Sequence, residues 1–180
     1  TKDLELAARM RTYALDTLAV TLGGSTAPSS TAVARTILSA AGKPEATVLG
    51  AGRLTSAWDA ALANGAFAHA LELDDDHRIA VLHPGAVVVP AALAAAEAAH
   101  ASGPVFLRAL LLGYEVTCRL GEVFRGSQFY HGVHPTALCG VFGAAAAAGV
   151  AIGLDRDALV RAFGIAGTQA SGLTEWRADG

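Results

Sequence analysis

Residues 137–154 read ALCGVFGAAAAAGVAIGL, a stretch without a single charge in a chain of 180 residues. Whether it crosses a membrane or lies inside a water-bathed bundle decides the fold. A membrane span needs about 20 strongly apolar residues. This run is mostly Ala and Gly, whose transfer out of water gains little, so we expect a buried helix opened by Pro135. Gly140, Gly143, Ala147 and Gly149 would let neighbouring helix axes approach closely.

Working outward, helical spacing dominates. Leu4, Ala8, Arg11, Leu15, Leu18 and Leu22 mark a first helix, stopped by Gly23-Gly24. A second is expected over Ser30–Ala41, with Val33, Ile37, Leu38 and Ala41 inward. A short extended or hairpin piece falls near 45–53, around two glycines. Ser56 with Asp59 resembles a capping box that opens a third helix running to about Asp74. Pro84 opens a helix ending near Ser102, and Pro104 opens another to about Arg125. GSQFYHGVHP, residues 126–135, reads as a loop, and Asp155 caps a last helix to about Ala170. The expected fold is all-α: one helical bundle over 1–180, with buried Ala/Gly-rich central helices.

Hydrophobic residues make up 53% of the chain and charged ones 16%, which suits a mostly buried scaffold. A net charge of −3 with no basic cluster excludes nucleic acid as the expected partner. Cys118 and Cys139 form no CxxC pair and no disulfide framework, so a reducing cytoplasm is the expected compartment. The chain opens on Thr1 and closes on EWRADG, and we expect it to be part of a larger polypeptide.

The chemistry-bearing stretch is HALELDDDHRIAVLHPGAVVVP, residues 69–90. Glu72, Asp74, Asp75 and Asp76 crowd four carboxylates together, and such clusters persist in water, on a cation, or at a site doing chemistry. If the helix continued, His69, Glu72 and Asp76 would share one face, leaving Asp74 and Asp75 for water or Arg78. His83-Pro84 and His134-Pro135 each set an imidazole at a helix start, where the positive end of the dipole favours the neutral ring. A neutral, oriented imidazole suits general acid–base work, and equally a helix cap. His69 and Glu72 also fit half of a carboxylate-bridged metal pair, but that His-x-x-Glu order is not repeated elsewhere in the chain, so no metal is expected. Tyr130 and His131 could line a pocket near His134.

Five ordered segments carry a resemblance: NGAFAHALELDDDH, LHPGAVVVPAALAAAE, GYEVTCRLGEVF, HGVHPTALCGVFGAAAAAGVAIGL and AFGIAGTQASGL. Together they resemble the MmgE/PrpD family of metal-free lyases and isomerases. Its members include 2-methylcitrate dehydratases, cis-aconitate decarboxylases and iminodisuccinate epimerases. The resemblance implies a cytoplasmic homodimer, without cofactor, acting on a small di- or tricarboxylate. It implies a large helical domain and a smaller α/β lid domain that this chain does not carry. It also implies that His83 and His134 are catalytic and that Glu72 stands for the first acid of the family's acidic motif, more often Asp. Asp76 stands where many members have Thr, and a further anion there would repel a polycarboxylate. Asp76, Arg78, Tyr130 and His131 are the expected substrate contacts. A Lys that members use would lie beyond Gly180, in keeping with only two lysines here, Lys2 and Lys43. A non-catalytic helical domain or interaction module is the alternative from a different class.

Overall fold

The computed structural model describes residues 2–175; the closing WRADG of the sequence lies outside the described residues. The described residues form eight helices and one two-stranded sheet, the mostly helical architecture expected. Helix α1 spans Lys2–Gly24 and α2 Pro28–Ser39. Strands β1 (Ala46–Val48) and β2 (Arg53–Thr55) pair antiparallel, with Thr47 opposite Leu54. Gly50 and Gly52, at φ +75° and +60°, supply the left-handed turn conformations that side chains disfavour. Helix α3 spans Ala57–His69, α4 Gly85–Ala98, α5 Gly103–Phe124, α7 Pro135–Ala151 and α8 Arg156–Gln169.

Three local expectations are corrected. The third helix stops at His69, not Asp74, because the chain turns left-handed at Glu72 (φ +52°). The stretch 126–135 is not all loop: Ser127–Tyr130 winds one helical turn, α6. Ala41 faces solvent, also left-handed at φ +49°, while Ile37 is buried as expected. The Ser56 cap does form. Its Oγ accepts from Asp59 N at 3.2 Å and donates to the Asp59 carboxylate at 2.7 Å.

Most of the charge-free segment lies inside as α7, while residues 152–154 at its end are exposed. Helix α7 packs on α4, α5 and α8, and among the described residues no helix is long and apolar enough to cross a membrane. Burial of Val88, Val89, Leu110, Ala109 and Ala147 joins α4, α5 and α7 in one core, with Met10 and Ala14 closing it from α1. A second cluster, Ile37, Val48, Ala60, Ala63, Phe67 and Ala94, seats α2 and the hairpin on α3 and α4. Polar anchors fix that hairpin: Thr47 donates through N and Oγ1 to Glu97, at 2.7 and 2.9 Å, and Asn64 brackets Leu49 N and Thr47 O. Glycine sets the closest approach. A methyl group on Gly143 would overlap the Thr117 hydroxyl and sit 2.7 Å from Gly113 O, so α5 and α7 touch backbone to backbone.

Candidate active site

The site is built by the segment between α3 and α4. After His69 the chain drops its helical bonds, and residues 77–82 close a tight turn: His77 N donates to Leu82 O and Val81 N to His77 O, both at 2.8 Å. Val81 takes φ +56°, a costly conformation for a β-branched residue, of order 1–3 kcal/mol. Full burial of Ala80 and Leu82 on either side offsets that cost. The turn returns the chain toward α7, where His83 N donates to Thr136 Oγ1 at 3.0 Å. Thr136 lies in the first turn of α7, directly after His134-Pro135, so the two histidine-bearing helix starts are stitched together.

The four acids take different fates. Asp74 is buried, its carboxylate shielded from solvent. It accepts from His69 Nδ1 at 2.9 and 3.1 Å, and its Oδ2 lies 3.5 Å from His83 Nδ1. Since a carboxylate only accepts, Nδ1 of His69 carries the hydrogen and Nε2 is presented outward, 3.3 Å from Glu72 Oε1. Asp75, half-buried, turns to the opposite side, taking Gly85 N and the Tyr114 hydroxyl at 2.8 Å each. It thus holds the first amide of α4, where a negative charge suits the helix dipole. Glu72 and Asp76 are exposed. The expected helical face of His69, Glu72 and Asp76 therefore does not exist, and Asp74 and Asp75 face inward rather than toward water or Arg78.

Two imidazoles, His69 and His83, flank Asp74, and a third, His134, stands beside them. The ring of His69 lies 4.9 Å from that of His83 and 6.3 Å from that of His134. The bond to Asp74 raises the pKa of His69, against burial, which opposes it. Burial lowers the pKa of His134, helped by the neighbouring His69 and His83 rings. One ring is thus biased toward the cation and another toward the neutral form, side by side. This is how sites separate an acid from a base.

The residues 1–180 match the MmgE/PrpD N-terminal domain over their full length. The chain belongs to the MmgE/PrpD family. It is 38% identical over 173 residues to the cis-aconitate decarboxylase-like protein oryM of Aspergillus oryzae, covering 92% of this chain and 36% of that protein. It is 34% identical over 171 residues to cis-aconitate decarboxylase of Aspergillus terreus, covering 92% and 35%. The chain therefore spans about a third of the length of these relatives, and the family to which it belongs is of the lyase type.

Within this MmgE/PrpD domain, His83 and His134 are brought together as the family resemblance implied. Neither imidazole caps its helix: Pro84 stands at the cap of α4, and His134 caps α7 without a side-chain bond. Glu72 reaches the cluster only at its rim, through His69. Arg78 is exposed, Tyr130 is 82% exposed with its ring edge-on to Phe129, and His131 is exposed with its Nδ1 donating to Ser127 O at 2.8 Å. Asp76 faces a separate hollow of about 490 Å³ that it lines with Asp75, His77, Tyr114 and Glu122. His69 and Asp74 are what sequence reasoning passed over as site residues. Their signal was present in the spacing: a His closing a helix five residues before an acid can meet it across a turn. The cysteines take no part as nucleophiles. Burial pushes Cys139 up to about 11 and Cys118 up to about 12, leaving both as inert thiols at neutral pH.

Proposed function

We propose that this chain is the helical portion of a lyase or isomerase that moves a proton at a carbon next to a carboxylate of a small di- or tricarboxylate. The observation that carries the reading is the trio of clustered imidazoles, each from the end of a different helix, two of which flank buried Asp74. His83 and His134 exchange the proton with substrate carbon or leaving group. Glu72 contacts substrate or orients the exposed face of His69. These groups move protons without a resident metal or organic cofactor. The relatives' names favour cis-aconitate or a closely similar tricarboxylate: loss of CO2 leaves an electron pair on carbon, and an adjacent acid must deliver a proton to the allylic carbon. No Lys or Arg is among the groups that shift His69 or His134. In this reading the cations that grip the substrate carboxylates come from outside this segment, with the exposed Arg78 as an auxiliary, Asp76, Tyr130 and His131 at the rim, and a cytoplasmic homodimer as the working form.

Each general acid or base contributes roughly 10²–10⁴ in rate. In the full-length protein, His83→Ala and His134→Ala should each lower kcat on cis-aconitate by that order while the melting temperature holds. Near-parental kcat in both variants would overturn the assignment.

A further inference from the structure

The same side chains carry a second property. One ring nitrogen of His69, one carboxylate oxygen of Asp74 and one ring nitrogen of His83 all lie within 4.8 Å of one another. Tetrahedral Zn2+ with bonds of about 2.0–2.2 Å spaces its ligand atoms roughly 3.3–3.6 Å apart, so small side-chain shifts suffice. The 3.5 Å between His83 Nδ1 and Asp74 Oδ2 already has that spacing. His83 Nδ1 is moreover buried without a hydrogen bond among the described residues, a lone pair or N–H aimed at an acid it does not quite reach. On the outer side, Glu72 Oε1 stands 3.3 Å from His69 Nε2. That is where a carboxylate stands when it orients a metal-bound imidazole through its second nitrogen.

We propose that His69, Asp74 and His83 form a binding site for a borderline divalent cation of the Zn2+ class. Two imidazoles with one carboxylate select Zn2+ over Mg2+ and Ca2+, which want oxygen alone. On binding, the metal replaces the hydrogen on His69 Nδ1. From the imidazolium the displaced Nδ1 proton leaves to solvent; from the neutral ring it moves to Nε2; in both cases the bound ring carries its one hydrogen on Nε2, where Glu72 accepts it. Three protein ligands leave one coordination position for water. Because the cation takes lone pairs of His69 and His83, it also blocks the proton transfer assigned above; that consequence alone rests on the proposed function.

The test is titration of the full-length protein with ZnCl2 against a chromogenic chelator, with MgCl2 in parallel. The expected result is one Zn2+ per chain, no Mg2+ competition, and affinity lowered at least about 100-fold by His83→Ala and by Asp74→Asn. That exceeds the 10–100-fold typical of losing an outer partner. His77→Ala and Cys118→Ser, which remove an imidazole and a thiol outside the proposed site, should leave Zn2+ affinity unchanged. Undiminished binding in His83→Ala overturns the proposal, as does no stoichiometric Zn2+ in the parental protein. Co2+ substitution of the parental protein gives a readout independent of variant folding: nitrogen and oxygen ligation supports the site, and thiolate charge-transfer bands overturn it. Zn2+ bound at the site with turnover of cis-aconitate unaffected would keep the metal site and sink the catalytic roles instead.

Discussion

Replacing Gly143 by Ala tests the seam between α5 and α7. The added methyl would overlap Thr117 Oγ1 and stand 2.7 Å from the Gly113 carbonyl, neither of which is the free end of a long side chain. Thr117 Oγ1 donates to Gly113 O at 2.9 Å inside the core, so a rotamer change there breaks a buried hydrogen bond, worth about 0.5–1.5 kcal/mol. Overpacking adds about 1–3 kcal/mol. Against this, Ala is the better helix former by about 1 kcal/mol. The balance is a loss of about 1–3 kcal/mol, or roughly 2–12 °C in melting temperature for a domain of this size. Gly164 in α8 is the control, exposed and with nothing within 4 Å of a new Cβ. There the same substitution should stabilise by about 1 kcal/mol. Thermal melts by circular dichroism of both variants decide it. A Gly143→Ala protein as stable as the parent, or gaining like Gly164→Ala, would refute the backbone contact.

Asp74→Asn should make the stability difference from the parent depend on pH. His69 has its pKa raised above 6.5 in the folded protein, so the stabilisation from its pair with Asp74 is complete below the unfolded value and is lost as pH rises through the folded one. Denaturant titrations should show a larger deficit at about pH 5.5 than at about pH 8.5; a deficit that grows with pH would contradict the pairing. Tyr114→Phe takes away a hydrogen bond that holds down the Asp75 carboxyl, whose pKa burial already raises. The variant should lose about 1–3 kcal/mol near neutral pH, read by urea unfolding, and an unchanged midpoint would remove Asp75 as the anchor of α4.

What could be read from the chain and what could not divide along physical lines. Helix existence followed from period and punctuation: Pro104 and Pro135 open α5 and α7, and Ser56 and Asp155 cap α3 and α8. The His-Pro steps placed His83 and His134 each at a helix start, and a shared site for the two came from the family resemblance rather than from any local pattern. The fate of the acids was not. Continuing the helix past His69 sent Asp74 and Asp75 to the wrong side and joined Asp76 to His69, and the break comes from a left-handed Glu72, a residue type that gives no warning of it. Val81 hides the second reversal in the same way. Asp74 could be recognised as buried only once His69 and His83 were known to flank it, a tertiary fact beyond any local pattern. Tyr114, far along the chain on α5, is likewise invisible as the partner of Asp75.

Gly140 bears on all of this from a distance. A Cβ there would press on Val87 at 3.0–3.2 Å, so α7 and α4 lie as near as a missing methyl allows, about one turn in from the prolines that start them. That contact works as the stop of a caliper whose tips are the rings of His83 and His134. The gap in which a substrate must fit is therefore gauged by a residue that never meets it.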